Sequence, residues 1–269
     1  MPELPEVETI KRDLASRLPG AQLRNLKVLL VKIVRPGQEA FRKLLLGKTL
    51  EAISRRGKLL IFEFGESVLL VHLGLTGSLI LKESFPPPHT HVIFEFDKGT
   101  LFYADLRQFG WLEAVPRKDL ALHSFYASLG PDALGISPSQ FERLILSSRR
   151  KIKALLLDQK KIAGLGNIYT DEVLFRAGIH PERPAATLSQ EEIKRLYSTM
   201  REVLLRAIEL RGSSVRNYVD GKGRTGRFQE EHLVYGKRGR PCLRCGTPLE
   251  YRVVATRGTT FCPKCQSLP

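Results

Sequence analysis

Tryptophan occurs once and methionine twice in 269 residues, and acidic side chains are outnumbered, 28 Asp and Glu against 43 Lys and Arg. No stretch comes near the ~18 uninterrupted apolar residues of a membrane helix. The opening MPELPEVETIKRD is acidic where a secretory leader is basic and then apolar. These absences argue against a membrane partner and for a cytosolic protein, or a nuclear one in a eukaryote. Cysteine is missing before Cys242, so no disulfide framework staples the bulk of the chain. There is no internal repeat and no low-complexity run. With 42% hydrophobic and 26% charged residues, the composition is that of a globular chain with cores for two modest domains.

The shortage of acid leaves a net charge of +15 and an isoelectric point near 9.9. Self-repulsion on that scale points to an anionic partner, nucleic acid ahead of a lipid surface. Residues 201 to 269 carry 14 Lys and Arg against 6 Asp and Glu, and 14 − 6 = +8, so half of the excess lies in the last quarter. The C-terminal end is expected to face the polyanion.

Three zones differ in texture. Val7, Ile10, Leu14 and Leu18 recur at helical spacing over residues 3 to 18, and Pro19-Gly20 stops the pattern. From about Gln22 to Pro116, short β-rich runs (59 to 64, 68 to 73, 92 to 96, 101 to 103) alternate with Gly, Pro and Asp punctuation, which predicts a sandwich or barrel. After Pro116 the pattern becomes helical, over 139 to 147, 151 to 160, 167 to 177 and 190 to 211. For the last helix, Ser189 and Glu192 supply a capping box and Gly212 a stop. Its apolar stripe, Ile193, Leu196, Tyr197, Met200, Val203, Leu204, Ala207 and Ile208, reads as core. The fold class is therefore α+β.

Cys242-x2-Cys245 and Cys262-x2-Cys265, sixteen residues apart, form a four-thiolate pattern that predicts zinc. Four cysteine ligands leave no open coordination position, so the metal is expected to be structural, one per chain. The arginines around it suit a mount for phosphate contacts.

Two further segments are ambiguous on their residues alone. Ala163-Gly164-Leu165-Gly166-Asn167 joins two helical stretches and suits either a phosphate at a helix N-terminus or an ordinary interhelical turn. Pro2 follows Met1, in a context where the initiator is normally removed. The resulting secondary amine would titrate near ~8 and act as a nucleophile. Glu3, Pro5, Glu6 and Glu8 crowd that amine, but acids and proline are also ordinary first-turn residues.

Taken together, PELPEVET at the start, RRGK at 55 to 58, HLGLTG at 72 to 77, DLRQFG at 105 to 110, LLLDQ followed by AGLGNIYTDE between 155 and 172, VYGK at 234 to 237 and TRGTTFCPKCQ at 256 to 266 resemble bacterial formamidopyrimidine-DNA glycosylases. The likeness runs from end to end of the chain. It implies an N-terminal helix plus β-sandwich over residues 1–128. Residues 129–269 would then form a helix-two-turn-helix domain ending in a zinc finger at about 235–269, with DNA in the cleft between the two.

The resemblance further implies a monomeric, bifunctional base-excision repair enzyme of the bacterial cytoplasm, associated with the nucleoid. Its partner is damaged double-stranded DNA and it needs no organic cofactor. Pro2 attacks C1′ of an 8-oxoguanine or formamidopyrimidine nucleotide, expels the base and cuts the strand by β,δ-elimination. Glu3 is the acid-base residue, Lys58 a proton donor and phosphate contact, and Glu6 shapes the site. Asn167 and Arg257 clamp the flanking phosphates, with Arg257 counted also among the catalytic candidates, and Lys153 and Tyr235 add weaker contacts. Leu75, Arg107 and Phe109 fill the hole left by an extruded base, Arg107 bonding the widowed cytosine. His72, His89 and His91 could assist phosphate binding or simply end strands; His91 is carried as a DNA-contact candidate. The Gly-rich segment 215 to 226 is long enough to close over a flipped base.

Some positions depart from the family pattern. Leu75 stands for the usual methionine, Gln108 for lysine, and Thr256 and Thr260 for glycine and histidine, which bears on DNA affinity more than on the chemistry. The rival enzyme is an endonuclease VIII-like glycosylase for oxidised pyrimidines, disfavoured by Val7 and the long 215 to 226 segment. A rival of another class is an inactive DNA-binding relative.

Overall fold

A computed structural model describes residues 2–82, 85–215 and 218–268. The chain divides into two units, one of residues 1–128 with 208–229, the other of 129–207 with 230–269.

The first unit begins with α1 (Leu4–Ala15) and continues through β1 (Leu23–Val28), β2 (Val34–Arg35), α2 (Gln38–Leu45), β3 (Ala52–Arg56), β4 (Leu59–Phe64), β5 (Ser67–His72), β6 (Gly77–Lys82), β7 (Thr90–Phe96), β8 (Gly99–Asp105), β9 (Trp111–Pro116) and α3 (Ser124–Ser128). The strands form two sheets, ordered β1-β7-β8-β6 and β2-β9-β5-β4-β3, antiparallel except for the β2/β9 pair. Side chains of both sheets meet in one core, where Phe64 and Phe96 stack 6.4 Å apart. This is the expected helix plus β-sandwich.

The two burial patterns explain two kinds of strand. β4, LLIFEF, is nearly apolar throughout because it is covered on both sides, α1 packing on it and on β3. β7, THVIFEF, alternates, since one of its faces meets solvent. The strand-rich zone also contains a helix that the pattern of short β runs hides: α2 buries Phe41 and Leu45 at helical spacing, and Phe41 lies 6.4 Å from Phe94.

The second unit holds α4 (Pro138–Leu146), α5 (Ile152–Leu157), α6 (Asn167–Ala177), most of α7 (Gln190–Glu209) and the hairpin β10 (Glu250–Val254) with β11 (Arg257–Phe261). α7 starts with the expected capping box, Glu192 N donating to Ser189 Oγ at 3.2 Å and Ser189 N to Glu192 Oε2 at 2.8 Å. Its stripe is buried apart from the half-buried Tyr197, whose hydroxyl donates to the Ile136 carbonyl at 2.9 Å. α5 is shorter than the expected 151 to 160, because Asp158 turns the chain by accepting from Lys160 N at 3.0 Å. Among the described residues, no helix is long and apolar enough to cross a membrane.

Candidate active site and nucleic-acid interface

Pro2 is buried just ahead of α1, and Glu3 is the helix N-cap. The Glu3 carboxylate accepts from the Glu6 backbone N–H, and Glu6 Oε2 accepts from Glu3 N at 2.8 Å, a reciprocal box built from two glutamates. Each is 1% exposed. Glu6 Oε1 accepts from Ser213 N at 2.7 Å, so one carboxylate ties the start of the chain to the Gly212-Ser213 segment. The approach there is so close that a Cβ on Gly212, at φ +82°, would lie 2.7 Å from Glu6 Oε1.

α1 is moored to the sheet by charge. Glu8 Oε2 accepts from Arg55 Nε at 3.0 Å, both side chains being 8% exposed. Burial pushes the Glu8 carboxyl up, but donation from Lys11, Arg12 and Arg55 outweighs it and leaves the group below its ordinary range. Arg55 lies near the end of β3, and Gly57-Lys58 form the turn to β4, with Lys58 8% exposed. Burial, aided by the Lys58 charge, pulls the His72 imidazole down from 6.5 to about 4. His72 stacks on Trp111 at 5.7 Å, and its Nδ1 accepts from Gly74 N at 3.2 Å, as a neutral ring can.

Leu75 is half-buried in the turn between β5 and β6. Arg107 and Phe109 project from the turn between β8 and β9, where Gln108 is left-handed at φ +57°. Phe109 is 56% exposed, and the Arg107 guanidinium lies 4.9 Å from its ring centre. An apolar ring and a cation held together in solvent suit insertion into a base stack. His91 Nε2 lies 2.9 Å from the Asp105 carbonyl oxygen, at the foot of that turn.

Within the segment 215 to 226, Arg216 and Asn217 lie outside the described residues, as does Met1. The far end of the segment is built on Asp220, which accepts from Lys222 N at 2.8 Å, Arg224 N at 2.9 Å and Arg211 Nε at 2.5 Å. Arg211 also donates to Asp13 of α1.

In the second unit, α6 opens at Asn167 after Gly166. Asn167 Nδ2 donates to the Gly258 carbonyl at 2.8 Å, and its buried Oδ1 lacks a hydrogen-bond partner among the described residues. Lys153, fully buried, donates to Asp171 Oδ1 at 2.6 Å, Thr259 Oγ1 at 2.7 Å and the Gly258 carbonyl at 3.2 Å. Burial pushes the Asp171 carboxyl up to about 7, with the Lys153 charge and the Thr260 N–H pulling the other way. These bonds converge beside Arg257, which is exposed at the head of β11. The turn before it places Ala255 at φ +52° and Thr256 at φ +61°, a left-handed pair that a β-branched residue adopts under strain. That conformation explains why glycine suits position 256.

Tyr235 is held by a single carboxylate. Glu172, fully buried, accepts from the backbone N–H groups of Leu233, Val234 and Tyr235 at 2.9 to 3.0 Å.

The four cysteine Sγ atoms lie within 4.8 Å of one another, with Cys242 to Cys265 at 3.9 Å and Cys245 to Cys262 at 3.5 Å. Thiolates at ~2.3 Å from a tetrahedral zinc stand about 3.8 Å apart. The set fits one structural zinc, backed by Phe175, Val234 and Leu249.

Sequence reasoning named exposed side chains such as Arg107, Phe109 and Arg257 and the buried Glu3, Glu6, Lys58 and Lys153, but missed four buried carboxylates that hold the loops: Asp105, Asp171, Glu172 and Asp220. Three of these stand inside quoted motifs, Asp105 in DLRQFG and Asp171 and Glu172 in IYTDE, and that was their only local signal.

Comparison with known proteins follows the same division. Family models described as the formamidopyrimidine-DNA glycosylase N-terminal domain, the formamidopyrimidine-DNA glycosylase H2TH domain and a zinc finger found in FPG and IleRS match residues 1–112, 129–219 and 239–268. A curated formamidopyrimidine-DNA glycosylase of Geobacillus kaustophilus (strain HTA426) is 44% identical over 273 residues, covering 99% of this chain and all of its own. A crystal structure of the Lactococcus lactis FPG mutant G226P with Fapy-dG-containing DNA superposes with a TM-score of 0.92 at 40% identity. A complex of Lactococcus lactis Fpg with abasic-site DNA gives 0.91, also at 40% identity. Both cover 99% of this chain and 100% of the matched one.

Proposed function

This chain belongs to the formamidopyrimidine-DNA glycosylase family, and from that premise we infer that Pro2 is its nucleophile. The activity is excision of oxidised purines from damaged duplex DNA, with lyase cleavage at the resulting abasic site.

With Met1 removed, the Pro2 nitrogen attacks C1′ as the bond from C1′ to the base breaks, and the departing base takes up a proton. The secondary amine leaves an iminium, which keeps its charge at every pH and draws electrons from the sugar, so the strand phosphates depart by β- and then δ-elimination. Glu3 exchanges protons with the sugar, and Lys58 protonates or pairs with the leaving groups. Glu6 holds the Glu3 amide and Ser213 in place. Arg257, Asn167, Tyr235 and His91 carry the phosphates around the lesion, and Lys153, buried and bonded to Asp171, Thr259 and Gly258, serves them only indirectly by holding the strand that presents Arg257, while Leu75, Arg107 and Phe109 occupy the vacated stack. We assign the chemistry to residues 1–128 and most of the DNA grip to residues 129–269, with the finger at about 235–269, and place the enzyme at the bacterial nucleoid.

The observation that carries this assignment is the pair Glu3 and Glu6, each 1% exposed and mutually bonded, in the first turn after Pro2. Glu3, withdrawn from water in the residue next to the amine and fixed through its backbone N–H by Glu6, is placed to exchange a proton with a substrate. The deciding experiment is borohydride reduction during turnover of an 8-oxoguanine duplex, with a thymine glycol duplex alongside. An adduct mapped to Pro2 on the purine substrate is expected; an adduct on another side chain, or faster release of thymine glycol, would overturn the assignment.

A further inference from the structure

We propose that Asp105 is a positioning residue, whose carboxylate locks the Leu75 turn and the Arg107-Phe109 turn into one wedge. The inference rests on the void-filling role of Leu75, Arg107 and Phe109.

Asp105 closes β8 and is 0% exposed, directly beneath four consecutive exposed residues, Leu106 to Phe109. Its two oxygens serve different parts of the wedge. Oδ1 accepts from Thr76 Oγ1 at 2.5 Å, in the Leu75 turn, and from Arg107 N at 3.2 Å. Oδ2 accepts from Gly110 N at 2.8 Å, at the far end of the Arg107-Phe109 turn, and from the Tyr103 hydroxyl at 3.4 Å. Thr76 Oγ1 in turn accepts from Arg107 N at 2.9 Å, so the hydroxyl is a link in both directions. Leu75 is the residue next to that link.

The backbones leave no slack. A Cβ on Gly74 would lie 2.6 Å from Gly110 N and 2.6 Å from the Phe109 carbonyl carbon, and one on Gly110 would lie 1.9 Å from the Tyr103 hydroxyl and 2.7 Å from the His72 carbonyl oxygen. Each glycine permits an approach that any side chain would prevent. The main chain of Asp105 is fixed as well, its N–H donating to the His89 carbonyl at 3.0 Å. Tyr103 is buried, and its hydroxyl stays protonated because burial and the neighbouring carboxylate both oppose ionisation. It therefore acts as a donor to Asp105.

A wedge that opens a base stack works only if its parts hold their spacing while the duplex pushes back. A leucine on one turn and an exposed phenylalanine and arginine on another would each yield separately. Joined through a buried carboxylate and one hydroxyl, they yield only together. The residue that sets this is invisible to the DNA.

The test uses the full chain. Asp105→Asn removes an acceptor from the Gly110 or Thr76 side and risks misfolding. Thr76→Val removes the cross-link at a half-buried position while keeping shape, and Thr76→Ser keeps the hydroxyl. Three readouts are taken: single-turnover excision of 8-oxoguanine opposite cytosine and opposite adenine in duplex, fluorescence of 2-aminopurine placed in the complementary strand, and cleavage of an abasic site in single-stranded DNA, where there is no stack to open. Thr76→Val should lower duplex excision about tenfold, narrow the preference for cytosine and weaken the fluorescence rise, as expected for one lost buried hydrogen bond. Its single-strand cleavage should stay within about twofold of the parent, and Thr76→Ser should restore duplex activity. Equal duplex activity in the valine variant, or parallel loss on duplex and single strand, would overturn the proposal. A parent chain that leaves the 8-oxoguanine duplex intact would bring down the functional assignment itself, a result distinct from either.

Discussion

The Lys153 ammonium stands 2.6 Å from the Asp171 carboxylate, with side-chain exposures of 0% and 1%. The pair links α5 to α6, and through Thr259 and Gly258 both helices hold the strand that presents Arg257. Removing the lysine takes away three buried hydrogen bonds and leaves Asp171 either to take up a proton or to stay ionised without a counter-charge in a dry site. Lys153→Met is therefore expected to cost about 3 to 5 kcal/mol in urea unfolding, and Lys153→Met with Asp171→Asn distinctly less. Additive losses would mean that the two residues act independently.

The chemistry proposed for the N-terminus should be separable from DNA binding. Glu3→Gln keeps a side chain of the same shape at the N-cap but cannot exchange protons, and Pro2→Gly replaces the secondary amine. Both variants should bind lesion-containing duplex as the parent does, while base release falls by about a hundredfold or more. Gel-shift affinity and single-turnover excision measured together decide the matter; undiminished excision in either variant would contradict the roles assigned to Pro2 and Glu3.

His72 makes stability depend on pH. The folded chain protonates it near 4 and the unfolded chain near 6.5, so between those values the unfolded state holds more protons. Its contribution is complete above about pH 6.5 and is lost as pH falls towards 4, by on the order of 3 kcal/mol in all. Thermal unfolding of the parent and of His72→Gln should diverge in that window, the parent falling more steeply. Parallel curves would rule the effect out.

Zinc removal should disable the finger first. Chelation, or Cys262→Ser at a fully buried thiolate position, is expected to expose residues 239 to 268 to protease and to weaken DNA binding at least about tenfold. Metal analysis should return one zinc per chain, and an unchanged digestion pattern in metal-free protein would count against a structural role.

Thr256 is strained by its left-handed backbone, and Thr256→Gly relieves it. The variant should unfold with about 1 kcal/mol more stability, because glycine adopts φ near +61° without steric cost, a gain partly offset by its freer unfolded chain. A lower melting temperature would show that the threonine methyl or hydroxyl contributes more than its strain costs.

The parts legible in the sequence were those whose signals are local. The capping box of α7 needs only Ser189 and Glu192, three positions apart, and the metal cluster needs only its two Cys-x-x-Cys pairs. The β-rich texture disclosed the sandwich but concealed α2, whose few apolar positions sit among strands. Nothing local marks the role of Glu172, which is defined by amides 61 to 63 residues away, or that of Asp105, whose partner Thr76 is 29 residues back, in the turn that opens the neighbouring strand β6. A buried acid reads in sequence like an exposed one, and only the packed chain distinguishes the carboxylates that hold the loops from those that face water.

The contact between Glu6 and Ser213 joins residues 207 positions apart, inside a unit that also takes in residues up to Gln229. During synthesis the first turn of the chain must therefore wait, its glutamate without its amide, until the ribosome has made most of the protein. The surroundings of Pro2 are thus completed late, and a translation product that stops before Ser213 carries the first turn of α1 and the sandwich but not the amide that fixes Glu6.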